Sequence, residues 1–206
     1  MGTDIDGVIE SRSADGSWKI EVGLLDLQLG RDYRAWGCLF DVRGMEGVRT
    51  LFADRGLPND VSDPVREMSI DPDSDYQHSH TYATWAEVAA VDWDAPLADG
   101  PAFYYAGEWR PGEDGELVLH GIVEAAWGDV LDAAYDTFGD DHPGTPSEWP
   151  PGGEVCLDGA VYRPVVLTAR MLAPPDEGRW ARLWTAMRDL AAEHGDDNVR
   201  LVVWFG

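Results

Sequence analysis

Positive charge is scarce in this chain. Its 206 residues hold fifteen basic side chains against thirty-nine acidic ones, a formal net charge of −24, and Lys19 is the sole lysine beside fourteen arginines. A field of that sign repels nucleic acid and attracts cations or basic protein surfaces, which excludes direct nucleic-acid binding from the expected roles. The arginine-for-lysine bias reflects a GC-rich coding genome and does not mark a functional arginine set. Cysteine is nearly missing too. Cys38 and Cys156 stand far apart, each in an apolar-patterned segment, and this predicts two buried thiols in a reducing cytosol, not a secreted disulfide framework. No run of about 18 apolar residues occurs. The opening Met1-Gly2-Thr3-Asp4 lacks the positive and apolar regions of a signal peptide. A cytoplasmic protein with no membrane partner is therefore expected. Catalytic signatures are missing as well: there is no G-x-S-x-G elbow, no G-x-x-x-x-G-K loop and no G-x-G-x-x-G turn, and neither cysteine has a context that activates a thiolate. Hydrolase, P-loop and dinucleotide chemistries are left without support, and no motif assigns a reaction.

Apolar material, in contrast, is plentiful. With 44% hydrophobic residues and ten tryptophans, the chain buries enough surface to offset its ordering entropy despite the charge. No free linker interrupts the pattern, so residues 1–206 are read as a single domain. Ile5–Glu10 and Trp18–Gly23 read as a hairpin closed by Ala14-Asp15-Gly16-Ser17, since an Asp-Gly pair supplies the positive φ angles of tight turns. Helices are expected over Tyr33–Phe40, from an N-cap at Ser62 to Met68, from the Thr84-Trp85-Ala86-Glu87 capping box to Ala90, over Val123–Phe138, and around Trp180–Ala191. Asp71 to His80 is too polar for either regular element. A second hairpin is predicted over Phe103–Trp109 and Glu116–Ile122, and a third turns at Asp158-Gly159 between Val155–Leu157 and Ala160–Leu167. Val199, Leu201, Val203 and Phe205 alternate as a last strand. Three hairpins with helices and no repeated βαβ unit predict an α+β fold, a mainly antiparallel sheet built from hairpins with helices packed on it.

Several constellations are able to carry chemistry. His78 and His80 share one side of an extended backbone, as do Asp4 and Asp6, and the four together would suit a divalent metal. The competing reading leaves the histidines on a polar loop. Asp71, Asp73 and Asp75 imitate the start of a calcium loop, but Tyr76 stands where the turn needs glycine and Tyr82 where a bidentate glutamate belongs, so an ordinary acidic loop is the better reading. Arg31, Arg34, Arg43, Arg49 and Arg55 lie in one stretch, and any that faces a pocket is a partner for phosphate. The ligand set expected from these residues is Asp4, Arg31, Arg55, His78 and His80, holding a small phosphorylated or nucleotide-like molecule. Trp127, Trp180 and Trp184 are read as core.

The segments Met1-Gly2-Thr3-Asp4-Ile5-Asp6-Gly7, Gly30-Arg31-Asp32-Tyr33, Arg55-Gly56-Leu57-Pro58, His78-Ser79-His80-Thr81 and Asp197-Asn198-Val199-Arg200-Leu201-Val202-Val203-Trp204-Phe205 occur in that order. Together they resemble a family of small phage and actinobacterial (prophage) proteins that open M-G-T-D-I. The chain departs from that pattern at Asp6, where the family usually carries His, and so offers one neutral nitrogen ligand fewer. The resemblance implies a phage accessory role and brings no activity with it. By analogy it also suggests an anti-defence role, in which an acidic, non-enzymatic inhibitor occupies a basic site on a host protein as a nucleic-acid mimic. A mimic needs carboxylates in a long regular stripe, whereas here they are dispersed along every segment, which favours the ligand-binding cleft.

Overall fold

The computed structural model describes residues 3–70, 78–139 and 144–206. From the N-terminus the elements are β1 (Ile5–Arg12), β2 (Trp18–Gly23), α1 (Leu24–Leu27), α2 (Tyr33–Phe40), α3 (Asp63–Ser69), β3 (His78–Thr84) and α4 (Trp85–Ala89). The middle of the chain supplies β4 (Tyr105–Pro111), β5 (Leu117–Glu124), α5 (Asp129–Phe138), β6 (Val155–Leu157), β7 (Ala160–Pro164) and α6 (Ala169–Leu172). α7 (Gly178–His194) and β8 (Val199–Phe205) complete it. The fold is α+β: two four-stranded antiparallel sheets, ordered β2-β1-β8-β3 and β5-β4-β7-β6, carry packed helices. Each belongs to its own compact unit, the first built from Met1–Gly44, Thr50–Trp93 and Ala173–Gly206, the second from Met45–Arg49 and Asp94–Leu172. No described helix is long and apolar enough to cross a membrane.

In the first unit β8 lies between β1 and β3, and all seven of its side chains are buried. Alternate residues serve two cores. Leu201, Val203 and Phe205 pack with Ile9, with Trp36, Leu39 and Phe40 of α2, and with Trp180, Leu183, Trp184 and Met187 of α7. Val202 and Trp204 face the other way, onto Val8, Val61 and Val65. Covering on both faces explains why this strand is almost continuously apolar; each enclosed large side chain contributes roughly 1.5–3 kcal/mol. Gly7 permits the tight β1–β8 contact, since a Cβ there would stand 2.5 Å from the Val202 carbonyl oxygen and 2.8 Å from Leu24. Trp36, Trp180 and Trp184 form a chain of ring contacts at 5.0 and 6.0 Å, so the α7 tryptophans are core.

The second unit has a smaller, alanine-rich core of Ala106, Ala125, Ala134, Trp149, Val155, Ala160 and Tyr162. Its two hairpins turn where Asp-Gly pairs predict, with Gly115 at φ +83° and Gly159 at φ +74°. The β4–β5 register runs from Tyr105 opposite Glu124 to Pro111 opposite Leu117, with a bulge after Glu108.

Several expectations are corrected. The helix expected from Val123 begins only at Asp129, because Val123 and Glu124 finish β5 and Gly128 takes φ +72°, a break no regular helix accepts. Trp127 is consequently exposed instead of lying on an apolar helix face. The polar stretch ending at His80 contributes to β3, an edge strand that needs only one neighbour. Ser62 holds the N-cap position of α3 as expected, but its hydroxyl makes no cap bond and is buried without a partner among the described residues, while its N–H donates to Glu10. Cys38 is buried as expected, whereas Cys156 is exposed because side chains alternate along β6 and its neighbour Val155 takes the core-facing position; neither cysteine forms a disulfide. The calcium-like residues Asp71, Asp73 and Asp75 lie outside the described residues.

Candidate functional site

The first unit contains a cavity of about 670 Å³ at the start of β1, lined by Asp4, Ile5, Asp6, Leu24, Leu25, Gln28, Leu29, Gly30, Arg31 and Trp36. Its rim is a loop forced into shape by its ends. Gln28 closes α1 in the left-handed region at φ 53° and Gly30 follows at φ +68°. Two helices hold the loop from below: the Trp36 indole N–H of α2 donates to the Gly30 carbonyl at 3.0 Å, and Arg179 of α7 donates to the Leu29 carbonyl at 2.9 Å. A Cβ on Gly30 would come within 2.9 Å of the Arg179 guanidinium, so glycine serves both the turn and the close approach. Arg31 is thereby set opposite the first residues of β1, where it forms an ion pair with Asp4.

Asp6 completes the polar part of the cleft and is only partly exposed. Burial, and secondarily the negative charge of Asp4, raise its carboxyl above the ordinary aspartate range. No described residue donates a hydrogen bond or ion pair to it. The floor is apolar, with Leu29 and Trp36 fully enclosed and Leu25 standing at the edge, 83% exposed. Beside the cleft, the Tyr33 hydroxyl donates to the Thr3 carbonyl at 3.0 Å and Arg43 covers the Tyr33 ring at 4.2 Å, which fixes the approach to β1.

Of the five residues expected to share a ligand, Asp4 and Arg31 therefore meet, with Asp6 beside them. Arg55 is engaged elsewhere: it donates to Glu87 at 2.7 Å and lies over the rings of Phe52 and Tyr82. The histidines do not line the cleft. His78 Nδ1 contacts the Ser79 hydroxyl at 2.9 Å, and His80 Nε2 lies 2.6 Å from the Ser69 carbonyl oxygen. Ser79 takes φ 51° and the β3–β8 register shifts between His78 and Thr81, so two-residue spacing no longer implies a common side. The metal set Asp4, Asp6, His78 and His80 is not assembled, and among the described residues no three His, Cys, Asp or Glu side chains gather as metal ligands.

No family model, curated protein or solved structure matches this chain. Its own geometry is what bears on function. Leu24, Leu25, Gln28 and Trp36 escaped the sequence reading of the site because nothing local distinguishes a lining leucine from a core one. The left-handed Gln28 carries no composition signal; Gly30 beside Arg31 is the one local residue type that favours a turn there.

Proposed function

We propose that this chain is a ligand-binding protein whose cleft takes a small molecule with an apolar body and a cationic head. The observation that carries the reading is Asp6: a half-buried carboxylate with no partner among the described residues, above an apolar floor, in a concavity of small-molecule size. An ammonium or guanidinium beside it would offset its desolvation and the repulsion from Asp4 together. The ligand body would cover Ile5, Leu24 and the exposed Leu25. A phosphorylated or nucleotide-like ligand, the expectation from the arginines, fits the charge balance less well, since it would have to draw Arg31 away from Asp4 and sit beside two carboxylates.

Thermal unfolding against a panel of alkyl and aryl amines, guanidines, matched phosphates and nucleotides, each with and without divalent metal, tests this. A ligand present at about a hundredfold excess over its Kd adds about 2.7 kcal/mol of stability. Amines should raise Tm in a concentration-dependent way, and Asp6→Asn should abolish the shift while the variant stays folded. Stabilisation by nucleotides that is lost in Arg31→Ala but kept in Asp6→Asn would overturn the cationic reading in favour of the phosphate one.

A further inference from the structure

In the second unit, the end of the β4–β5 ribbon carries three aromatic rings bordered by two carboxylates. Trp127 is the one exposed tryptophan of the ten, at 53%. Its ring lies 5.4 Å from that of Tyr104 at an interplanar angle of 41°, and Phe103 meets Tyr104 edge-on at 4.6 Å. The polar ends of the exposed Trp127 and the partly buried Tyr104 are already committed: the Trp127 indole N–H donates to Glu124 at 3.1 Å and the Tyr104 hydroxyl donates to Glu46 at 3.2 Å. These bonds orient the rings and bring a carboxylate to each side. The backbone beneath is fixed by the Ala125 N–H donating to the Tyr104 carbonyl at 2.8 Å and by Tyr105 pairing with Glu124. The patch is thus organised before anything binds.

We propose that this patch binds arginine side chains of a basic polypeptide, a role separate from the small-ligand cleft. The molecule contains a filled version of the same arrangement. Trp18 donates its indole N–H to Asp60 at 2.8 Å, and Arg200 both donates to that carboxylate at 2.7 Å and lies 3.7 Å from the Trp18 ring centre. Trp127 and Glu124 repeat the indole-to-carboxylate half, and among the described residues no arginine completes it. A guanidinium is the group that satisfies both parts at once, since it stacks flat on an aromatic face while its edge donates to a carboxylate. An ammonium offers no such plane, a neutral sugar would leave both glutamates without a cation, and nucleic acid is repelled by a chain of charge −24. That same charge draws a basic polypeptide and raises its rate of encounter.

The test is fluorescence anisotropy at low ionic strength with a labelled Arg-Gly repeat peptide, against peptides in which every arginine is lysine or citrulline. The arginine peptide should bind, the lysine peptide more weakly, and the citrulline peptide not at all. Trp127→Ala and Glu124→Gln should each weaken the arginine complex about fivefold with unchanged circular dichroism. Glu193→Gln, which removes an equal charge from α7, should leave it intact. Undiminished binding by Trp127→Ala would reduce the effect to diffuse charge and overturn the proposal. So would equal binding of the citrulline peptide, or displacement of the arginine peptide by a neutral oligosaccharide.

Discussion

The Glu10 carboxylate at the centre of β1 accepts a 2.9 Å hydrogen bond from Arg200 of β8, 190 residues further along the chain, and both side chains are buried. The second Glu10 oxygen accepts from the Ser62 N–H at 3.1 Å, and Asp60 and the Trp18 ring complete the surroundings of the guanidinium. Removing one partner strands the other charge. Glu10→Ala should cost about 3–5 kcal/mol in urea unfolding, whereas Glu10→Leu combined with Arg200→Met should recover most of that loss. If the double variant is as unstable as the single one, the cost lies in packing and not in the uncompensated charge.

Backbone contact between β1 and β8 leaves no room at Gly7. Gly7→Ala drives a Cβ into the Val202 carbonyl and Leu24, so a loss of about 3 kcal/mol is expected. Gly121→Ala in β5 meets nothing within 4 Å and is the control that should stay within about 0.5 kcal/mol of the parent. Similar midpoints for the two variants in denaturant would refute the close-contact argument.

Thr84 and Glu87 form a reciprocal cap at the start of α4. The Glu87 N–H donates to the Thr84 hydroxyl at 3.3 Å, and Glu87 accepts from the Thr84 N–H at 2.9 Å. Thr84→Ala should lower stability by about 1 kcal/mol, and Thr84→Ser should restore most of it. Equal losses in both would show that the methyl group matters and the hydroxyl does not.

Asp6 and Asp60 titrate with opposite consequences. Burial raises the Asp6 carboxyl, so the folded state holds that proton more tightly than the unfolded chain does. Its contribution is present below the unfolded value near pH 3.9 and is lost as pH rises through the folded one. Asp6→Asn should therefore raise Tm at pH 7 and give no gain at about pH 3. Hydrogen bonding from Arg200 holds Asp60 below its ordinary value. Its contribution is present above about pH 3.9 and fades as pH falls through the folded value. Asp60→Asn should accordingly cost stability at neutral pH and little in acid, and parallel Tm profiles for the two variants would contradict both assignments.

Much of the local structure was legible without coordinates. The hairpin turns at Asp15-Gly16, Asp114-Gly115 and Asp158-Gly159, helix α2 and the capping box of α4 all follow from short-range chemistry: left-handed glycines, apolar spacing and reciprocal side-chain bonds. β3 was not legible, because an edge strand of mostly polar residues has no apolar alternation to read. The site divided along the same line. Asp4 and Asp6 share the cleft with Arg31 because the α1–α2 loop folds back onto the start of β1 after the first hairpin, a contact across 27 residues. Two-residue spacing puts the histidines on a common side only along an unbroken strand, and the left-handed Ser79 breaks it.

Charge, turn positions and amphipathic faces are properties of neighbouring residues, and the amino-acid order alone settled them. Which arginine found which carboxylate depended on strand order, because pairing β1 with β8 brings Glu10 to Arg200 while Arg31 is left at the mouth of a cavity. The energy of a charge depends on how much water surrounds it, and burial is decided by the tertiary packing of segments that, for Glu10 and Arg200, lie 190 residues apart.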